Sequence, residues 1–279
     1  MSDDSDGRVS DRIPPLADLH NHFVPGVDDG ARSIDEAIAA LKELFESGVT
    51  RVATTPHLSA SRASGSRRVE IQESFEELRT AAEEAIPDLS LSLAYEVRLD
   101  EPDVELGDRR LGLSDRHLLV EFSMLMVPAY STETLNTAVR QNWVPVLAHP
   151  ERYAGIEARY GLIQTWRDAG VVMCVNAASL WGRYGREAAW AARRMLADGA
   201  VDIIASDHHA RPGRSDTVRQ AWDRLLEVGH DEAGLLLLSE NPAAILDGRD
   251  PLPVPPVHLP VHLGEGWTER LKRIVGRSR

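Results

Sequence analysis

Short runs of β-branched and apolar residues recur along the chain at 15–20, 51–55, 91–96, 118–122, 145–149, 171–176 and 202–206. Most are nearly continuous apolar segments rather than alternating ones, the pattern of strands buried on both faces. Between them, apolar positions return at helical spacing over 70–85, 132–141, 162–169, 187–197 and 217–228, as amphipathic helices require. A further helix is predicted to begin after Ser33 and run to about Gly48. Ser33 and Glu36 form a capping box, and Ala37, Ile38, Leu41 and Leu44 supply the buried face. Gly48, Gly170 and Gly199 each stand between a predicted helix and the next strand, where a left-handed C-cap favours glycine. Strand and helix alternate seven times without a break. The expected fold class is therefore α/β, a parallel barrel-like sheet in a single domain.

The two ends depart from this alternation. Residues 1–13 are acidic and polar and are expected to be disordered ahead of a barrel spanning 14–248. From 249 to 266 proline recurs (Asp250-Pro-Leu-Pro-Val-Pro-Pro256), which predicts an extended, semi-rigid linker. Residues 267–279 read as a basic amphipathic helix. Arg270, Lys272, Arg273, Arg277 and Arg279 stand against Glu269, while Trp267, Leu271, Ile274 and Val275 share one face. Two readings of that helix are open: packing on the acidic body, or peripheral contact with anionic lipid or an acidic partner.

Composition narrows the class. An apolar fraction of 43% over 279 residues supports a sizeable core. The net charge of −13 argues against general nucleic-acid binding, because phosphates would be repelled. No run of about 18 apolar residues occurs, so no transmembrane span is expected. The N-terminal stretch lacks the basic start and apolar core of a signal peptide. Cys174, the single cysteine, cannot form an internal disulfide, which fits a reducing cytoplasm. Nor does it suit thiolate chemistry on phosphate, which needs an arginine six positions later: Cys174 lies in Val171-Val-Met-Cys-Val175 and position 180 is Leu180. A buried, inert thiol is expected.

The candidate chemistry lies at the strand ends. His20 and His22 (Asp18-Leu-His-Asn-His22), His57, His149 and His209 all follow predicted strands, and Glu96, Glu121 and Asp207 close three strand-like runs. Residues i and i+2 of a strand project to one face, so His20 and His22 can reach one ion. In a parallel barrel every strand's carboxyl end faces the same side, where active sites form. A set of imidazoles and carboxylates without thiolate suits Mn²⁺, Fe²⁺ or Zn²⁺. Glu121 pairing with an arginine, and Glu96 with Arg98, are the plain structural alternatives. His208 stands outside the ligand set, because the Asp-x-His spacing selects His209.

Taken in order, Asp18-Leu-His-Asn-His22, Gly26-Val-Asp-Asp-Gly-Ala31, Thr55-Pro-His57, Glu96, Val120-Glu-Phe122, His149-Pro-Glu-Arg152, Ser179-Leu-Trp-Gly182 and Ser206-Asp-x-His209 form a specific set. With Asn241-Pro242, they resemble the polymerase-and-histidinol-phosphatase (PHP) superfamily over residues 16–246. Within it, the chain is similar to the bacterial capsule-type manganese-dependent protein-tyrosine phosphatases. The resemblance implies a distorted seven-stranded (β/α) barrel with two or three divalent ions, Mn²⁺ first and Fe²⁺ or Zn²⁺ as alternatives. It implies ligand roles for His20, His22, His57, Glu96, Glu121, His149, Asp207 and His209, and for one of the paired aspartates, with Asp29 favoured over Asp28. Arg152 and Arg211 match phosphate-holding positions. The loop after His209 departs from the pattern by looking shortened, so Arg214 can stand in for Arg211.

The expected activity is phosphomonoester hydrolysis by a metal-bridging hydroxide, with the arginines taking the phosphoryl charge. Asp28 or a metal-bound water would protonate the leaving group. The family pattern points to a phosphotyrosine-bearing protein, such as the tail of a tyrosine kinase in polysaccharide export. Alternatives are a PHP phosphatase of a small metabolite such as histidinol phosphate, an amidohydrolase, and a non-catalytic metal-binding scaffold. Strand four ends in Glu121 rather than the bridging lysine usual in amidohydrolases.

Overall fold

The computed structural model describes residues 13–63, 65–211 and 217–260. Its strands are β1 (Leu16–Asp18), β2 (Val49–Thr54), β3 (His57–Ser59), β4 (Ser90–Leu93), β5 (Glu96–Leu99), β6 (His117–Phe122), β7 (Val144–Ala148), β8 (Val172–Asn176) and β9 (Ile203–Ala205). They pair in parallel throughout, as a three-stranded sheet β1-β2-β4 and a six-stranded sheet β3-β5-β6-β7-β8-β9.

Seven runs were expected and nine segments are found, because two runs are interrupted. The chain from β2 passes Pro56 before resuming as β3, and proline has no N–H for the ladder. The predicted run 91–96 straddles the gap between β4 and β5. Pairing continues across both breaks: Ala94 N–H donates to Thr54 O at 2.9 Å and Glu96 N–H to Pro56 O at 3.2 Å. The nine segments thus make seven staves. The two sheets are stitched at their other border by Asp207 N–H donating to His20 O and His22 N–H donating to His208 O, both 2.8 Å. Asp18 adds a side-chain latch, accepting from Ser206 N–H at 2.9 Å and Ser206 Oγ–H at 2.5 Å.

Helices α1 (Ile34–Glu46), α2 (Ser66–Ala85), α3 (Ser131–Arg140), α4 (Gly161–Asp168), α5 (Arg186–Ala197) and α6 (Thr217–Glu227) follow the predicted segments. The Ser33 side chain caps α1 by accepting from Glu36 N–H. The reciprocal arm of the capping box is displaced by one residue, since the Glu36 carboxylate takes the N–H of Arg32. Gly48, Gly170 and Gly199 have φ of 102°, 85° and 64°, the left-handed caps their positions predicted. A helical stretch after α6 was not predicted: α7 (Asp231–Leu235), a π-helical turn at Leu236–Glu240, and α8 (Asn241–Leu246). Pro242 and Gly234 argue against a helix there, yet Pro242 sits in the first turn of α8, where a missing N–H costs nothing.

Side chains separate by strand parity. Leu118, Val120 and Phe122 of β6 join the larger core beneath the helices, while Leu119 points into the barrel beside Val146, Ala148, Val172, Cys174, Ile203 and Ala205. Cys174 is fully buried, and burial pushes its thiol well above the ordinary range. Between Arg249 and Pro260 the chain has no helix or strand, and Val254 and Val257 are buried against the body. Val257 N–H donates to Leu196 O at 2.9 Å, and Asn241 exchanges two hydrogen bonds with Leu252. Among the described residues no helix is long and apolar enough to cross a membrane. The acidic N-terminal residues before 13 and the basic segment 267–279 lie outside the described residues.

Candidate metal centre

Strand parity builds the site. Continuing the inward-facing series past Leu119, Val172/Cys174 and Ile203/Ala205 leads to Glu121, Asn176 and Asp207. Three staves therefore end by turning a polar side chain toward the barrel mouth. His149 breaks the rule: Ala148 faces inward, so the next residue of an extended strand would face out. Its backbone is left-handed instead (φ 37°, ψ 51°), and the imidazole reaches Glu96 Oε1 at 2.9 Å. Asp207 (φ 51°) and Ala210 (φ 50°) are left-handed too. Non-glycine residues held there cost about 1 kcal/mol or more each, and such outliers cluster at functional sites.

All nine sequence-predicted ligands come together. Glu96 is central: Oε1 lies 3.2 Å from His20 Nε2 and 2.9 Å from His149 Nε2, while Oε2 lies 2.9 Å from His57 Nδ1 and 3.5 Å from His22 Nε2. Asp207 Oδ1 stands 3.5 Å from both His20 Nε2 and His22 Nε2. Asp29 Oδ1 faces His209 Nε2 at 3.4 Å and His57 Nε2 at 3.7 Å. Four groups have donor atoms close enough to share an ion: His22/Asp29/His57/His209, His20/Glu96/His149, His20/His22/Asp207 and His57/Glu96/Glu121. Because the groups share His20, His22, His57 and Glu96, they cannot be four separate sites. Glu96 belongs to two of the groups, with Oε1 facing His20 and His149 and Oε2 facing His57, so its carboxylate would be able to serve ions in both.

The electrostatics match this crowding. Burial works to lower the imidazoles, yet Asp207 and Asp28 hold His22 well above the usual range, and Glu121 and Glu96 hold His57 up to about 10. Burial works to raise Glu96, but His20, His149 and His57 hold it well below the carboxylate range. Asp207 is held low against its own burial by His20 and His22. His209 goes the other way, lowered by burial and by His22.

The alternatives weighed for the two glutamates resolve differently. Glu96 pairs with histidines. Glu121 does both, accepting from Arg98 Nε at 3.0 Å while standing 3.3 Å from His57 Nδ1. Asp28, one of the two expected proton sources, lies behind His22. Its Oδ2 meets His22 Nδ1 at 2.8 Å and accepts from His57 N–H, its Oδ1 accepts from Gly30 N–H, and the carboxyl is drawn down to about 2 although burial opposes. Oδ2 thus faces two candidate ligands, His22 and His57, and Oδ1 is taken by the Gly30 backbone. Arg152 reaches the centre, donating to Asp207 Oδ2. Arg211 stands at the rim, donating to the Asp29 carbonyl at 2.6 Å. Arg214 lies outside the described residues.

Several supporting residues escaped the sequence reading. Asn176 donates to Asp207 Oδ2 at 2.8 Å, and buried Glu151 accepts from Asn176 N–H and Ser179 Oγ–H. Tyr153, two residues past Glu151, accepts from Phe122 N–H and stacks edge-on to His149. Glu151 and Ser179 belong to motifs already singled out, but nothing in their spacing shows that they meet.

Comparison with known proteins agrees with this architecture. A family model described as capsular polysaccharide synthesis, CpsB/CapC, matches residues 16–247. The CapC protein of Staphylococcus aureus is 30% identical over 222 residues, covering 78% of this chain and 86% of the relative. Tyrosine-protein phosphatase YwqE of Bacillus subtilis is 25% identical over 245 residues, covering 86% and 95%. A solved structure from work on YwqE and Streptococcus pneumoniae CpsB, described as metal-dependent tyrosine phosphatases, superposes with a TM-score of 0.75 at 23% identity, covering 88% of this chain and 100% of that one. A phosphotriesterase homology protein from Escherichia coli, solved with phosphate in its active site, has the same general fold at a TM-score of 0.53 and 14% identity, covering 83% and 98%.

Proposed function

This chain belongs to the CpsB/CapC family of capsular polysaccharide synthesis, and from that premise we propose that it is a metal-dependent phosphatase acting on phosphotyrosine in proteins. The carrying observation is the shared ring of five imidazoles and four carboxylates with the Arg152 guanidinium bonded to its edge. The ring fits divalent cations. His20 Nε2, His22 Nε2 and Glu96 Oε2 are buried without a hydrogen-bond partner, a cost of about 1–3 kcal/mol per group that coordination would offset. The proposed ligands are His20, His22, Asp29, His57, Glu96, Glu121, His149, Asp207 and His209, shared among two or three ions. The imidazole and carboxylate donors suit Mn²⁺, Fe²⁺ or Zn²⁺, and the family resemblance puts Mn²⁺ first.

Bound there, divalent ions supply Lewis acidity and a water acidified enough to attack phosphorus. The chain's own residues do the rest. Arg152 presents a planar fork to the phosphoryl oxygens, which suits a dianion better than an ammonium would. Arg211, donating to the Asp29 carbonyl at the rim, would meet the same group. Asp28 and Asn176 orient His22 and Asp207. A tyrosine leaving group departs as a phenolate of pKa about 10 and needs little protonation, consistent with a mouth where Asp28 is already committed. Phosphotyrosine is favoured because the relatives YwqE and CpsB are named tyrosine-protein phosphatases. The natural partner would be a tyrosine-phosphorylated kinase tail in the cytoplasm.

The test is direct. His149→Ala and Asp207→Ala should each lower hydrolysis of a phosphotyrosine peptide by on the order of a thousandfold, and EDTA should do the same to the parent until Mn²⁺ is restored. Histidinol phosphate assayed in parallel should be the poorer substrate. Full activity after metal removal would end the proposal.

A further inference from the structure

Arg152 is gripped from a side that the ligand ring does not explain. Among the described residues its guanidinium makes one hydrogen bond, from Nη1 to Asp207, and its Cζ lies 3.9 Å from the centroid of the Tyr184 ring. Tyr184 is 37% exposed, so core burial does not hold the ring in place. What holds it is a short turn, Gly182-Arg-Tyr-Gly185, closed by Gly185 N–H donating to Gly182 O at 3.1 Å. Both glycines are left-handed, with φ of 80° and 96°. Arg183 N–H ties the turn back to Ala178 O at 3.2 Å, in the 3-10 segment Ala177–Trp181 that directly follows β8. The last residue of β8, Asn176, bonds the same Asp207 oxygen that Arg152 does. A small cavity lined by Tyr184, Arg183, Ala178, Asp207 and His209 opens beside this stack.

We propose that Tyr184 is a positioning residue for phosphate capture, holding the Arg152 guanidinium through cation–π contact with the face of its ring. A guanidinium bonded at one nitrogen can still swing about its terminal torsions. An aromatic face lying 3.9 Å from its Cζ restricts that swing and favours the cation electrostatically. The edge not bonded to Asp207 is then kept available for two phosphate oxygens. The ring carries the effect, and the Tyr184 hydroxyl does not enter it. This inference rests on the phosphatase reading, since it assigns Arg152 to phosphate.

The experiment titrates inorganic phosphate into the Mn²⁺-loaded full chain by calorimetry, and measures kcat and KM with p-nitrophenyl phosphate. Tyr184→Leu should weaken phosphate binding about five- to tenfold and raise KM similarly, with kcat changed by no more than about twofold. Tyr184→Phe should restore both to within about twofold of the parent. In an Arg152→Met background, Tyr184→Leu should have no further effect, the coupling expected of residues that act through each other. Thermal melting checks each variant's fold, and Tyr184→Met replaces Tyr184→Leu if the latter melts early. Unchanged phosphate affinity in Tyr184→Leu overturns the inference, as does a loss that persists in the Arg152→Met background or that phenylalanine fails to restore. A parent that binds phosphate but hydrolyses no phosphomonoester would instead overturn the phosphatase reading, with the phosphate titrations still deciding the role of Tyr184. A parent that binds no phosphate overturns both.

Discussion

His117 and His57, at opposite ends of the barrel, are shifted in opposite directions. His117, at the start of β6 on the closed end, is pushed down to about 4 by burial and by neighbouring Arg116. His57, at the open end, is held up to about 10 although burial opposes, because Glu121 and Glu96 face it. The closed end otherwise uses polar groups as fasteners: Asn241 donates to the carbonyls of Asp202 and Leu252 and accepts from Leu252 N–H, and Trp143 Nε1–H donates to Leu106 O at 2.7 Å. At the open end, buried donor and acceptor atoms are gathered without being satisfied. Burial alone therefore does not mark a functional histidine. The charge it faces does.

Metal should separate the two ends most strongly. Mn²⁺ at a thousandfold excess over its dissociation constant should add about 4 kcal/mol to the parent's unfolding free energy, and Glu96→Gln should forfeit most of that increment. Chemical denaturation with and without EDTA measures it, and an unchanged increment in Glu96→Gln would put the centre elsewhere. Asn241→Ala at the closed end should cost about 3 kcal/mol by stranding three backbone groups. That loss should be the same in EDTA as in Mn²⁺. A metal-dependent loss would mean that the two ends are coupled.

The closed-end histidine predicts a pH effect of its own. With a folded value near 4 against an ordinary 6.5, the unfolded chain takes up a proton between those limits and the folded chain does not. The contribution is thus fully present above pH about 6.5 and is lost as pH falls toward 4, by about 3 kcal/mol. The stability difference between parent and His117→Gln should narrow from pH 7.5 to pH 5, and a constant difference would show that His117 does not titrate this way. The smallest effect belongs to the helix caps. Gly170→Ala, at φ 85° with open space around the added Cβ, should cost about 1 kcal/mol of backbone strain and leave metal affinity untouched.

The clustered histidines were legible because they follow apolar strands, and a parallel barrel brings every strand's end to one side. The helix caps were legible for a similarly local reason, since glycine at a left-handed position announces itself. Residues that act through partners distant in sequence were not legible. Asp18 latches β1 to Ser206 188 positions away, and Asn176 and Glu151 brace Asp207 and Ser179 from other staves. Asp28 and Asp29 are adjacent, and the sequence favoured Asp29 without showing what either side chain meets. The backbone turns Asp29 to His57 and His209 while Asp28 binds the far side of His22.

By itself, then, the amino-acid order determined the alternation of strand and helix, the single barrel and the set of imidazoles and carboxylates at its mouth. These follow from periodicity and from polar residues placed just past apolar runs, which are local properties of a chain. The tertiary structure alone decided which atoms share a neighbour: Glu96 between four imidazoles, Arg152 between Asp207 and Tyr184, Asp28 behind His22. It also decided the direction of His149, which strand parity would send outward and a left-handed backbone turns in. Such contacts join separate staves, and their geometry exists only once the ladder has set the register between them.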